Sequence, residues 1–600
     1  MRRGLGALLL LWLIGLSATV WAQPAEFFPL EEVRPGLKGI GKTVFEGTQI
    51  EEFQVEVLGV LENIGPRQNL VLARLSGDKV EQYGVCAGMS GSPVYIDGRL
   101  LGAVAYAFSF ATEPIAGITP IGEMVEAFRE SPLRSFRLTP STRGSLRGLH
   151  DFTQIGWVKR FATRHPFQAV QSAWGTLQPI RVPLQLSGAV GQELEPFARW
   201  LEAAGFLPVA GSAAAVNDEW RQAPLEPGSP VVVQLIRGDL DVSASGTVTY
   251  VSGQQIFAFG HPFLGVGNTD LPMAKGAVLG VIPNLMNSQK IAATLDPVGV
   301  IRQDRSTGIL GVKGAQPRLT PLEVKLEASS GIEHSYRYEL VTDTLLTPFL
   351  VAFAVNNSIN AVERSLGDQT IDVTCRVRLK NYPEAVFETS ISDPGGASAL
   401  AALAASAPVD VLMTSGFEDL EIENITVELA AAEESREAVL EKVWQEKLEA
   451  RPGEEVDISV FLRLPNGETR QETYPVKIPE GVEPGALKIW IGDGLTLSRV
   501  EADEEDAEFI PKNLGQLVRA INNLKKNDRL YIRIFREQPG AVVGGEGLPG
   551  LPPSVLALYQ SKKTTGDVQP IRRVVYVEHE LPETEYVLSG QKTIELQVKG

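Results

Sequence analysis

Residues 90–108 read SGSPVYIDGRLLGAVAYAF, and residues 245–263 read SGTVTYVSGQQIFAFGHPF. Aligned without gaps, they are identical at Ser90/Ser245, Gly91/Gly246, Tyr95/Tyr250, Gly98/Gly253, Ala103/Ala258 and Phe108/Phe263. Each copy reads as strand, glycine turn, strand. Any two hairpins can share that grammar. Duplication of a β-barrel half makes a sharper expectation, because two halves packed together leave a cleft between them, where a site built from both would lie.

Outward from the repeat, the chain reads as mainly β. Ile50, Phe53, Val55, Val57 and Val60 keep a mostly alternating beat over Gln49–Val60, as half-buried strands do. Helices are expected at Glu123–Arg129, Glu193–Ala204 and Leu514–Leu524. The polar, basic stretch Ser131–Gly148 reads as a linker, Gly395–Ala407 as a linker or a short helix, and acidic Glu501–Glu508 as a solvated loop. The Gly/Pro-rich run Gly544–Pro553 reads as an exposed loop. Val456, Ile458, Val460, Leu462 and Leu464 alternate cleanly before the tight-turn pair Asn466-Gly467.

A chain of 600 residues is too long for one hydrophobic core. The expected division is 1–22 signal peptide, 23–130 first barrel half, 131–228 linker and partly helical insert, and 229–328 second half. A β domain at 329–394, a connecting segment at 395–451 and a C-terminal β-rich domain at 452–600 follow. The accessory β domains are expected to be sandwich-like.

Arg2 and Arg3, the apolar run Leu8–Val20 and the small-residue site at Val20-Trp21-Ala22 form a secretory signal pattern. The run is shorter than the roughly 20 residues a spanning helix needs. Cleavage before Gln23 is therefore expected, giving a periplasmic or extracellular protein with no membrane span after signal removal. A net charge of -18 repels phosphate backbones, so nucleic acid is not an expected partner. The two cysteines, Cys86 and Cys375, lie far apart in sequence and read as buried thiols; two residues make neither a disulfide framework nor a zinc site. Gly36–Thr43 spells a phosphate-loop pattern, but the stretch before it is charged and the stretch after it alternates like strands, so no nucleotide is expected.

In Gly88-Met89-Ser90-Gly91-Ser92-Pro93 a serine is flanked by two glycines. Such a turn can free the hydroxyl and aim backbone N–H groups at one spot, as an oxyanion hole requires. The N–H groups of Gly88 and Ser90 are the candidates. A serine hydroxyl needs a base. Of the five histidines (His150, His165, His261, His334, His579), His150 and His165 fall in or near the linker, and His334 and His579 in accessory β domains. His261 ends the apolar run Ile256–Gly260, at the repeat position of Tyr106. Ser92 and Ser245 read as structural hydroxyls.

The stretch Ile50–Glu126 resembles the catalytic segment of the SpoIVB-type serine peptidases. The features that match are Glu51-Glu52-Phe53 with Val55-Glu56-Val57, then Ala87–Pro93, then Ile96–Val104. Leu235–His261 is similar to the segment of that family that ends in Gly-His, here Gly260-His261, and Arg302–Gly314 to the segment after it. The resemblance implies a trypsin-like double β-barrel, with Ser90 as nucleophile and His261 as base. Three departures matter. The serine block here precedes the histidine block, so the halves look permuted. The family's acid position is Leu75, leaving Asp78 or Asp270 as alternatives for orienting His261. No PDZ domain fits between the signal and the catalytic segment.

The expected activity is hydrolysis of a protein or peptide substrate through an acyl-enzyme, with self-cleavage as one form. No metal or organic cofactor is implied. The competing reading is a non-catalytic envelope scaffold that keeps the double barrel and binds an envelope protein partner.

Overall fold

A computed structural model describes residues 26–600 except 109–110, 130–148, 150–154, 164–168, 173–174, 189–194, 212–216, 285–286, 365–366, 505–510, 539, 544–545, 550, 560–567 and 572. The signal pattern, the linker Ser131–Gly148 (Gly148 included), His150 and His165 lie outside the described residues.

The fold is mainly β and contains two six-stranded antiparallel rings. The first is built from β1 (Lys38–Thr43), β2 (Glu51–Gly65), β3 (Gln68–Ser76), β4 (Pro93–Ile96), β5 (Arg99–Phe108) and β6 (Ile115–Pro120). Its order is β4-β1-β2-β3-β6-β5, and β4 pairs with both β1 and β5 to close it. The β1–β4 seam is thin, with only Ile40↔Tyr95 and Gly41↔Val94 in register. Phe53, Val55, Val57, Val71, Ala73, Leu75, Val94 and Val104 fill the interior, as the alternation over Gln49–Val60 predicts. Between β3 and β4 the chain makes α1 (Asp78–Tyr83), and after β6 it makes α2 (Ile121–Arg129). The phosphate-loop look-alike lies largely in strand β1.

The insert stitches the two rings together, which is more than a linker does. It holds α3 (Gly156–Thr163), β7 (Val170–Ser172), β8 (Gly175–Pro179), β9 (Val182–Ser187), α4 (Glu195–Ala203), β10 (Phe206–Gly211) and α5 (Asp218–Gln222). Strand β8 pairs with β5 of the first ring. Two residues later, β9 pairs with the second ring. The chain therefore crosses from one sheet to the other at Ile180-Arg181.

The second ring consists of β11 (Pro230–Gly238), β12 (Asp241–Ser252), β13 (Gln255–Ala258), β14 (Gly267–Ile282), β15 (Gln289–Arg305) and β16 (Gly308–Lys313). It closes because β11 pairs with both β12 and β14. The long β14–β15 hairpin reaches onto the first ring: Val278 and Gly47 exchange backbone hydrogen bonds, and Ala87 N–H donates to the Ser288 carbonyl (2.8 Å). The two repeat copies are the β4–β5 and β12–β13 hairpins, whose turns hold Gly98 and Gly253 at positive φ (76° and 58°).

The boundary expected at residue 328 falls at the turn of a hairpin. β17 (Leu319–Glu327) pairs with β18 (Glu333–Val341), and β18 pairs with β11. One sheet therefore continues through β17 to β19 (Gln369–Leu379), β20 (Ala385–Asp393) and β21 (Ile422–Ala432). Two buried helices, α6 (Leu346–Asn360) and α7 (Ala397–Thr414), pack against each other and this sheet. Gly395–Ala407 thus belongs mostly to an 18-residue core helix. Among the described residues α7 alone is long and apolar enough to cross a membrane, yet most of it is buried inside the protein.

The C-terminal part is a two-sheet sandwich. Glu437–Gln445, Glu455–Arg463, Thr469–Lys477 and Val587–Ser589 form one sheet. Glu449–Ala450, Gly485–Asp493, Leu530–Arg536, Val574–Glu580 and Gln591–Val598 form the other. Val456, Ile458, Val460 and Leu462 face Leu487, Ile489, Ile532 and Leu596 in one core. The sandwich starts at Glu437, before the expected 452, because that first strand is too charged to show a clean alternation. The described end of the acidic stretch, Glu501–Glu504, is helical. Gly544–Pro553 contributes the short strand Glu546–Pro549.

Candidate active site

The Ser90 turn lies between α1 and β4 at the contact between the rings. Gly88 and Gly91 have φ of 93° and 94°, which L side chains rarely adopt. Gly91 is also enclosed: a Cβ there would lie 2.6 Å from Phe259 N and closer still to the Thr247 carbonyl oxygen. Strand β12 grips the turn from the opposite ring. Thr247 N–H donates to the Ser90 carbonyl (2.8 Å), Thr247 Oγ1 to the Gly88 carbonyl (3.0 Å) and Thr249 Oγ1 to the Gly91 carbonyl (2.7 Å). The two repeat copies therefore face each other, and the turn that opens one is held by a strand of the other.

This grip leaves a particular pair of donors over. Met89, Gly91 and Ser92 N–H groups donate to the carbonyls of Cys86 (3.1 Å), Val104 (2.8 Å) and Met89 (2.9 Å). Among the described residues, no acceptor takes the N–H of Gly88 or of Ser90. Ser90 Oγ is buried and likewise makes no hydrogen bond. Ser92 Oγ donates to the Met89 carbonyl (2.7 Å), a structural role.

His261 is fully buried, directly after β13. On one side Thr119 Oγ1, from the first ring, donates to the Gly260 carbonyl (2.7 Å). A Cβ at Gly260 would press on Ala103 (2.8 Å) and Ala105 (3.1 Å) of β5. The His261 segment thus abuts the strand whose Val104 carbonyl holds Gly91. Nδ1 stands 2.8 Å from the Pro262 carbonyl oxygen. A carbonyl only accepts, so in the tautomer that makes this bond Nδ1 carries the proton and Nε2 the lone pair. Burial pushes the ring's pKa down to about 4, opposed by the backbone of Pro262 and of Ile180, the residue where the chain changes sheets.

Neither candidate acid enters the interactions that set the His261 proton affinity. Asp78 opens α1 and is solvent-exposed, whereas His261 is wholly buried. Asp270 is occupied by Arg302 and by Arg318, whose Nε and backbone N–H donate at 3.3 and 3.0 Å. His334 stacks on Tyr336 in β18, and His579 lies in the strand Val574–Glu580.

Two buried charged groups beside the site were not singled out from the sequence. Asp304 in β15 accepts the N–H groups of Phe263 (2.8 Å), Leu264 (2.7 Å) and Val266 (3.3 Å), and burial raises its pKa to about 6. Lys290 lays its methylenes along Gly88 and donates Nζ to Thr43 Oγ1 (2.7 Å). Its backbone N–H donates to the Ala87 carbonyl (3.0 Å), and burial lowers its pKa to about 8. The signal for Lys290 was slight, a lone cation inside a β run. Cys86 and Cys375 are buried free thiols. Among the described residues no cluster of His, Cys, Asp and Glu could hold a metal ion.

The model of the SpoIVB peptidase S55 family matches residues 18–124. That stretch takes in the first ring and Ser90 and ends before His261. No curated protein and no solved structure matches the chain.

Proposed function

We propose that the chain is a serine endopeptidase acting by acyl transfer, with Ser90 as nucleophile and His261 as general base. The observation that carries this is the pair of uncommitted N–H groups at Gly88 and Ser90, in a turn whose other N–H groups are spent. A turn built only for stability has no reason to leave buried donors unpaired, whereas an oxyanion hole must. The match to a serine peptidase family over the Ser90 segment supports the same reading.

In the proposed reaction Ser90 Oγ attacks the scissile carbonyl while His261 Nε2 takes the hydroxyl proton. The carbonyl oxygen becomes anionic and is held by the N–H groups of Gly88 and Ser90. His261 then gives its proton to the leaving amine, and water repeats the sequence to release the acyl group. The Pro262 carbonyl does part of an orienting acid's work, since it favours the tautomer with the proton on Nδ1. It supplies no full negative charge to stabilise the imidazolium, so turnover is expected to be modest. Export directed by residues 1–22, a peptide or protein substrate and self-cleavage belong to this proposal.

One observation favours a non-catalytic scaffold. Ser90 and His261 are both wholly buried, and Ser90 Oγ is not hydrogen-bonded to the imidazole. Catalytic contacts often tighten only when substrate binds, so the enzyme reading requires the rings to part and re-close around a peptide.

The test is proteolysis by the purified chain, read by mass spectrometry as self-cleavage and as cleavage of a mixed peptide library. Wild type is compared with Ser90→Ala and His261→Ala. Cleavage by wild type alone is the expected result. Identical behaviour of all three would set the site aside in favour of the scaffold.

A further inference from the structure

His261 and Pro262 sit between two anchors. The one before them is Thr119 Oγ1 on the Gly260 carbonyl. The one after them is Asp304, only 1 % exposed, whose oxygens receive successive backbone N–H groups of the loop. Oδ1 takes Phe263 N–H, while Oδ2 takes Leu264 and Val266 N–H. Asp304 lies in the β15–β16 hairpin, which also supports the strand before His261: Ile309 is in register with Ala258 and with Asp304 itself. Below the loop, Phe263 packs edge-on against Phe259 (5.8 Å) and Phe206 (5.1 Å). A carboxylate is costly to bury, and backbone donors are what offsets that cost here.

We propose that Asp304 is the positioning residue of the His261 loop, fixing where the imidazole stands by holding the backbone that follows it. A triad acid orients the ring by bonding to it directly. Here the carboxylate bonds the chain two, three and five residues beyond the ring, and the ring itself meets the backbone of Pro262 and Ile180. This rests on the Ser90–His261 reading and adds to it the origin of the base's fixed geometry. An apolar side chain in place of Asp304 would fill the space and leave three N–H groups unpaired. An asparagine would keep one acceptor and turn a donor toward the others.

The experiment uses the full chain with a fluorophosphonate probe, which phosphonylates an activated serine: Oγ bonds to phosphorus and fluoride leaves. Hydrogen exchange of the 263–266 amides is followed in parallel. In wild type the probe labels Ser90, and the Phe263 and Leu264 amides are protected. In Asp304→Asn those amides exchange at least tenfold faster and labelling slows at least tenfold. With peptide substrate, kcat normalised to the sites that the probe titrates at completion falls while KM stays within about twofold, so loss of folded protein does not account for the fall. Labelling and loop exchange both unchanged in Asp304→Asn overturn the positioning role alone. Absence of Ser90 labelling in wild type overturns the peptidase reading and this proposal with it. If the variant does not fold, wild-type exchange still decides: Phe263 and Leu264 amides exchanging as fast as open loop would refute the clamp.

Discussion

At the scale of single residues, the contact between the rings depends on a glycine whose role is steric. Gly91 combines a positive φ with backbone from the opposite ring on the side where a Cβ would project. Gly91→Ala must therefore strain its own backbone and also push β12 away. We expect a loss of about 2–5 kcal/mol, the sum of about 1–2 for the left-handed conformation and about 1–3 for overpacking. Gly98→Ala is the matched control: φ is 76°, but nothing lies within 4 Å of its Cβ, so only the backbone cost of about 1–2 kcal/mol applies. Urea unfolding midpoints of the two variants measure the difference, and equal midpoints would mean that the enclosure of Gly91 carries no energy. The Gly-x-Ser-Gly turn was legible, and Ser90 and His261 stand out as candidates, because a local pattern marks them. Asp304, Thr119, Thr247 and Thr249 were not, because their roles depend on which strand ends meet, a long-range fact with no local signature. Thr247 and Thr249 did leave a trace, as hydroxyls alternating through Ser243–Thr249 in an otherwise apolar strand.

At the scale of elements, strands declared themselves more readily than helices, and the two long core helices did not. The alternation over Val456–Leu462 falls on one strand, Glu455–Arg463, with Asn466-Gly467 turning into the next. The three helices expected from the sequence fall on Ile121–Arg129, Glu195–Ala203 and Leu514–Asn522, within about two residues at their ends, since one face is apolar and the other polar. Helices α6 and α7 lacked that contrast: LTPFLVAFAVNNSIN and ASALAALAASAPVDVLMT are apolar nearly all round because nearly every position is buried. Read without a partner, a run of alanines and serines looks like a linker. Packed against another helix, it is what lets two backbones come close. Ala405 is fully buried in α7, so Ala405→Leu overpacks the core around that helix, and we expect about 1–3 kcal/mol of destabilisation. Thermal unfolding measures it. A variant as stable as wild type would show that slack exists around α7.

At the scale of the whole molecule, the pH dependence of stability exposes the two buried titrating groups beside the candidate site. His261 has a native pKa of about 4 against an ordinary 6.5, lowered by burial. Its contribution is present above pH 6.5 and is lost as pH falls toward 4, because the unfolded chain takes up the proton first. Asp304 has a native pKa of about 6 against an ordinary 3.8, raised by burial. Its contribution is present below pH 3.8 and is lost as pH rises through 6. Between about pH 4 and 6 the two slopes oppose, each with a ceiling of about 1.4 kcal/mol per pH unit. Removing either should unmask the other. Relative to wild type, Asp304→Asn loses stability more steeply on acidification across this window, and His261→Ala gains stability on acidification there. Both groups belong to the body that shares one core from the second ring through α7, while the C-terminal sandwich has a core of its own. The divergence should therefore appear in the unfolding transition of the barrel body and leave that of the sandwich unmoved. Calorimetry of the three proteins from pH 4 to 6.5 tests this. Parallel curves for all three would mean that neither group titrates out of step with the unfolded chain, and that water reaches the space between the rings.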